Sequence, residues 1–151
     1  MDRSSKGAGD TVVRLYEVIP DALYTSACPD KMGPLLEKKI TTVVCLSTKK
    51  TPIRDELLDW VYFPIPDSFR KLDRGQIASI VELILDRLNN EHRVLIHCLA
   101  GRNRAALVAA LVYREVTGCS GEEAFQRLRK IRPSCLHNPV FEKYLRNMGC
   151  L

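Results

Sequence analysis

The sequence has no long hydrophobic run and no residue pattern typical of a secretory leader. None of its apolar stretches approaches the roughly 20 residues needed to cross a bilayer, so we expect no transmembrane segment. Residues 1–10 are polar and rich in serine and glycine, unlike the apolar centre of a signal peptide. We expect them to form a flexible N-terminus, and we expect the protein in the cytoplasm or nucleus.

The six cysteines lack the close pairing that is common in structural zinc sites. No two of them have the C-x2-C spacing that is common in zinc sites. A disulfide framework is also disfavoured, because such frameworks belong to secreted chains. We therefore expect neither a metal nor any other cofactor.

The charge balance points to an anionic partner without identifying it. The 151 residues carry a net charge of +5 with a pI near 9.0. A phosphorylated protein, an acidic peptide, RNA and an inositol phosphate would each suit this charge. A basic surface that only aids solubility explains the charge equally well.

The order of the apolar segments predicts an α/β fold. Short β-rich runs predict strands, and apolar residues at helical spacing predict helices. The predicted strands cover residues 12–16, 22–26, 41–46, 60–65 and 93–97, and the predicted helices cover 29–39, 73–88, 105–116, 120–130 and 139–148. Gly118 is a helix stop, Ser120 with Glu123 forms a capping box, and Asn138 is a cap. The alternation predicts one domain over residues 11–151, with a mainly parallel central sheet flanked by helices.

Ligands of such sheets bind beyond the carboxyl ends of the strands, which directs attention to the residues after Ile96. There a thiol, Cys98, ends a strand, Gly101 lies in the following turn, and Arg104 opens a helix. The backbone N–H groups of such a turn and the helix N-terminus form an anion cradle. The guanidinium of Arg104 can bind two phosphate oxygens, and the positive field favours the nucleophilic thiolate of Cys98.

The segment from His97 to Arg104 resembles the H-C-x2-G-x2-R signature of the protein tyrosine and dual-specificity phosphatases. Four fixed positions would recur by chance in about one chain in a thousand of this length. The resemblance extends from about residue 23 to 145, and the small size is similar to the compact dual-specificity branch. It implies that Cys98 is the nucleophile and that His97 orders the loop. The phosphate-binding residues that it implies are Leu99, Ala100, Gly101, Arg102, Asn103 and Arg104.

The resemblance also implies a general acid about thirty residues before the cysteine. Asp67, in the stretch from Phe63 to Asp67, fits that place, and we favour it over Asp73. Asp73 is better suited to capping the helix that follows it.

One position departs from the family pattern. The family usually has serine or threonine directly after the arginine, where its hydroxyl stabilises the departing thiolate, and this chain has Ala105. Losing such a hydrogen bond costs about 1.5–3 kcal/mol, so we predict slow turnover and an accumulating phosphocysteine.

The expected function is hydrolysis of phosphomonoesters in proteins, on phosphotyrosine and also on phosphoserine or phosphothreonine, by a monomer. Two alternatives stay open: a phosphoinositide or RNA 5′-phosphate phosphatase of the same mechanism, and a weakly catalytic phosphate-binding module. Arg102 resembles lipid-directed relatives, whereas Asn103 resembles RNA-directed ones. Three basic residues near the acid could bind a second phosphate or acidic side chain; these are Arg70, Lys71 and Arg74.

Overall fold

A computed structural model describes residues 13–151, and the expected flexible segment 1–10 lies outside them. The strands of this part of the chain are β1 (Tyr16–Ile19), β2 (Leu23–Ser26), β3 (Thr42–Cys45), β4 (Asp59–Tyr62) and β5 (Val94–His97). They form one sheet in the order β1-β2-β5-β3-β4. Only the β1–β2 pair at the edge is antiparallel, so the predicted mainly parallel sheet is confirmed.

The helices flank this sheet on both faces. They are α1 (Gly33–Glu37), α2 (Arg74–Asn89), α3 (Arg104–Thr117), α4 (Gly121–Ile131) and α5 (Pro139–Arg146). The larger core lies between one face of the sheet and α2 to α5, and it includes Val44 and Ile96 from the central strands. On the other face, Val43 and Leu95 pack with Leu35 of α1. Because helices cover both faces of the sheet, every residue of the central strands β3 and β5 is buried.

The predicted caps are confirmed and fix where the helices begin. The Asp73 carboxylate accepts a hydrogen bond from the backbone N–H of Gln76 at 3.1 Å, which makes it the cap of α2. Ser120 and Glu123 form the reciprocal capping box of α4. The Asn138 side chain accepts bonds from the first turn of α5.

Three predicted boundaries are wrong. The first strand spans Tyr16–Ile19 rather than 12–16, because a tight turn with Asp21 at φ 58° sets its register against β2. The helix predicted at 29–39 is shortened to Gly33–Glu37, since Lys39 adopts a left-handed φ of 59° and stops it. The strand predicted at 60–65 ends at Tyr62, before Pro64, which has no N–H for the ladder.

The chain after β4 nevertheless stays beside β3. The backbone N–H of Phe63 donates to the Cys45 carbonyl at 2.8 Å, and that of Ile65 donates to the Leu46 carbonyl at 3.0 Å. These bonds carry the loop that contains Asp67 along the carboxyl edge of the sheet, towards the end of β5.

Within residues 13–151, no helix combines the length and the apolar character that crossing a bilayer demands.

Candidate active site

The site is built on the loop of residues 98–103, which joins β5 to α3. Cys98 directly follows the buried strand and is only 2% exposed. Its Sγ accepts a hydrogen bond from the backbone N–H of Gly101 at 3.2 Å. The sulfur is therefore enclosed by its own loop, with a backbone donor directed at it.

The turn of this loop requires a glycine. Gly101 has a φ of 71°, in the left-handed region that residues with a Cβ rarely adopt. A Cβ at this position would clash with the carbonyl oxygen of Ser26, at the end of β2. The loop thus lies against the neighbouring strand with no room for a side chain.

Arg104 is the first residue of α3, and its side chain extends towards the acid loop. Its Nη1 donates to the carbonyl oxygen of Ile65 at 3.3 Å. Its Nε is buried and has no hydrogen-bond partner among residues 13–151. A buried guanidinium donor without a partner suits an anionic oxygen, and the α3 N-terminus adds partial positive charge in the same place.

Two backbone hydrogen bonds hold the loop from either side. The Leu99 carbonyl accepts from the Cys28 N–H at 3.1 Å, and the Arg102 carbonyl accepts from the Leu136 N–H at 2.7 Å. The Arg129 guanidinium in turn donates to the carbonyls of Cys135 and Leu136. The loop is therefore tied to segments that are distant in sequence.

His97 supports the loop from the interior. Its ring is fully buried, with Nε2 2.7 Å from the Thr51 hydroxyl and Nδ1 3.4 Å from the carbonyl oxygen of Cys98. Because a carbonyl can only accept, Nδ1 carries the proton and Nε2 accepts from Thr51. Burial lowers the pKa of His97 to about 4, so the ring is neutral at pH 7.

The Asp67 carboxylate is held above the loop by two side-chain amides. Asn103 Nδ2 donates to one oxygen at 3.2 Å, and Asn138 Nδ2 donates to the other at 2.7 Å. Asn138 also donates to the Ser68 carbonyl at 2.9 Å. The structure thus brings Asp67 to the anion-cradle loop, whereas Asp73 faces the start of α2.

Asn103 forms hydrogen bonds that were not predicted from the sequence. Besides its bond to Asp67, its Oδ1 accepts from the N–H groups of His137 and Asn138 at 2.8 and 3.0 Å. One amide therefore links the loop, the acid and the start of α5. The partners are 34 to 36 residues away in sequence, so only the tertiary structure reveals them.

The other residues of the loop differ in their exposure. Leu99 is 61% exposed, and Ala100 and Arg102 are exposed as well. Ala105 is fully buried in the first turn of α3. No cluster of three or more His, Cys, Asp and Glu side chains among the described residues could hold a metal ion.

Comparison with known proteins gives a consistent family. Residues 23–149 match the model of the dual specificity phosphatase catalytic domain. The chain is 26% identical over 129 residues to the dual specificity protein phosphatase TpbA of Pseudomonas aeruginosa, which covers 82% of the chain and 56% of TpbA. The chain therefore spans about half the length of this relative.

The fold is also similar to that of solved structures. Human DUSP28 has a TM-score of 0.78 at 21% identity, and the match covers 87% of this chain and 90% of that one. PTPMT1 in complex with PI(5)P has a TM-score of 0.74 at 19% identity, with 87% and 92% covered. At such identities the likeness shows the fold and nothing finer.

Proposed function

The chain belongs to the dual specificity phosphatase family, and from that premise we propose that it hydrolyses phosphomonoesters in proteins through a cysteinyl-phosphate intermediate. The substrates in this proposal are phosphotyrosine and also phosphoserine or phosphothreonine. The observation that carries it is the enclosed Cys98 sulfur, with the Gly101 N–H directed at it and Arg104 at the start of the next helix.

In the first step, the Cys98 sulfur attacks phosphorus in line with the leaving oxygen. An S–P bond forms, the P–O bond to the substrate breaks, and Asp67 gives its proton to the leaving oxygen. Arg104 and the loop N–H groups stabilise the charge on the three equatorial oxygens. The unpartnered Nε of Arg104 supports this role.

In the second step, water attacks the phosphocysteine. Asp67, now ionised, accepts a proton from the water, the S–P bond breaks, and the thiolate and inorganic phosphate are released. Ala105 offers no hydroxyl to the departing sulfur, and this supports the proposal that the second step is slow.

A lipid substrate is the second candidate. Arg102 is an exposed residue of the loop, where it could contact an anionic headgroup, and PTPMT1, which has a similar fold, was solved with PI(5)P. An RNA 5′-phosphate has less support, since the Asn103 side chain is engaged by Asp67 and by backbone groups. The monomeric state, the cytoplasmic or nuclear location and the boundary at residue 11 stay predictions.

The test compares kcat/KM for phosphotyrosine and phosphoserine peptides, phosphoinositides and RNA with a 5′-triphosphate. We expect the peptides to be cleaved best, and Cys98→Ser to abolish cleavage. The matched control is Cys150→Ser, which changes an exposed cysteine and should keep full activity. Cleavage that persists in Cys98→Ser, or that is lost on chelation of metals, would contradict the mechanism, and binding without turnover would favour the weakly catalytic module.

A further inference from the structure

A second pocket lies beside the acid loop and outside the cradle. It has a volume of about 620 Å³ and is bordered by residues 70–72 and Arg74 on one side and by α5 and the residues after it on the other. Its lining contains no residue from 97–104. An anion bound there would therefore be a different group from the one in the cradle.

The charged side chains that line the pocket are all positive. Its charged residues are Arg70, Lys71, Arg74 and Lys143, and no carboxylate lines it. None of the four forms an ion pair with any residue in 13–151. A concave surface lined by uncompensated positive charge attracts anions more strongly than scattered surface charges do.

The carboxylates that adjoin Arg74 and Lys143 in sequence have partners of their own. Asp73 binds the N–H of Gln76 at the start of α2, and Glu142 binds Arg146 Nη1 at 2.7 Å. Although acidic residues adjoin two of the cations in sequence, neither acidic residue lines the pocket.

Specific contacts position the cationic side chains. The Arg74 guanidinium lies 5.4 Å from the centre of the Tyr144 ring, a cation–π contact across the pocket wall. The N–H groups of Arg70 and Lys71 both donate to the Ser68 hydroxyl, which shapes the turn that presents them.

The pocket and the catalytic site share their framework. Asn138, which holds Asp67, is also the cap of α5, and α5 provides Lys143 and Tyr144. Arg70 follows Asp67 by three residues, a separation that spans at most about 11 Å of backbone. A substrate bound at the cradle can therefore reach the pocket with a neighbouring part of its own chain.

We propose that this pocket binds a second anionic side chain of a phosphoprotein substrate, a carboxylate or a second phosphate a few residues from the cleaved one. The inference rests on the proposed function and refines its substrate class. A peptide suits the arrangement because an extended chain advances about 3.3 Å per residue and can place two anions in two separate pockets.

The test uses two phosphotyrosine peptides of equal length, one with glutamates flanking the phosphotyrosine on both sides and one with glutamines in their place. We expect the wild type to prefer the acidic peptide in kcat/KM by about three- to tenfold, as two solvent-exposed ion pairs would provide. Arg74→Gln combined with Lys143→Gln should reduce this ratio to near one. Added salt should reduce it as well, because exposed charges are screened.

The matched control is Arg54→Gln combined with Lys130→Gln. It removes the same charge, and Arg54 also stacks on an aromatic ring, that of Trp60, but neither residue lines the pocket. Its ratio should equal that of the wild type. A wild-type ratio near one, or a ratio that survives in the Arg74/Lys143 variant, would overturn the assignment.

Two further measurements separate the possible failures. If the wild type cleaves neither peptide, the proposed function is wrong. The pocket is then tested alone by measuring the affinity of the acidic peptide for Cys98→Ser by fluorescence anisotropy, with and without the Arg74→Gln and Lys143→Gln changes. Equal anisotropy-derived affinities would overturn the pocket as well. The lipid alternative is tested with phosphatidylinositol phosphate in phosphatidylcholine vesicles. If this lipid is cleaved faster than the acidic peptide, and if the pocket changes slow its cleavage, the pocket binds lipid instead.

Discussion

Replacing Asn103 by alanine tests whether this residue positions the general acid. The change removes the amide that donates to the Asp67 carboxylate at 3.2 Å and accepts from the N–H groups of His137 and Asn138. The second amide on Asp67, that of Asn138, stays in place. The acid should therefore be misplaced for part of the time rather than lost.

The magnitude follows from the bond that is removed. In the first step Asp67 carries the proton that it gives to the leaving oxygen, so the bond from Asn103 reaches a neutral carboxyl group and contributes about 0.5–1.5 kcal/mol. If that free energy serves to hold Asp67 in place, the single-turnover rate of phosphoryl transfer to Cys98 should fall by about 2- to 10-fold for a substrate whose leaving group needs a proton. Alkyl and unsubstituted phenyl phosphates are such substrates, whereas a dinitrophenyl phosphate leaves without protonation and should be cleaved at nearly the wild-type rate.

The assay is therefore the dependence of single-turnover rate on leaving group. Asp67→Asn should show the same pattern with a larger effect, and Asn90→Ala, which changes an exposed asparagine at the end of α2, should show none. An equal loss in Asn103→Ala for both kinds of leaving group would refute the reasoning, because it would place Asn103 in the cradle itself rather than behind the acid.

Three further predictions concern single positions. The wild type should show a burst of product in rapid-mixing experiments, and Ala105→Ser should raise the steady-state rate by about tenfold or more by supplying a hydrogen bond to the thiolate; a wild type without a burst would contradict slow dephosphorylation. His97 has a folded-state pKa of about 4, below its usual 6.5, so protonation favours the unfolded state. The free energy of unfolding should therefore be unaffected by His97 above pH 6.5 and should fall as the pH drops from about 6.5 to about 4, by up to about 3 kcal/mol. Urea unfolding at several pH values measures this loss, which His97→Gln should lack. Gly121→Ala should lower the free energy of unfolding by about 1–3 kcal/mol, since its Cβ would meet the Leu145 carbonyl oxygen; Gly33→Ala, which has open space, should not.

Local chemistry explains which parts of the fold could be predicted from the sequence. The buried strand before Cys98 and the caps at Asp73, Ser120 and Asn138 depend on residues close in sequence, and all lie where they were predicted. The spacing from Cys98 to Arg104 is likewise local, since a strand, a short loop and a helix start fit within it.

The features that were missed depend on distant contacts or on backbone geometry. The register of β1 follows from the turn at Asp21 and from pairing with β2, and neither leaves an apolar pattern. The helix α1 ends early at Lys39, which adopts a left-handed φ although it is not a glycine, so nothing in the sequence indicates this end. The bonds of Asn103 join three segments, and Lys143 reaches the basic pocket only because α5 packs beside the acid loop.

The two backbone bonds that tie Leu99 and Arg102 to Cys28 and Leu136 have a thermodynamic consequence. A loop fastened at both flanks has already lost the conformational entropy that a free loop would surrender on meeting its ligand. More of the free energy of phosphate binding is then available for holding the phosphoryl group in line with the sulfur, and the rigidity comes from segments outside the loop.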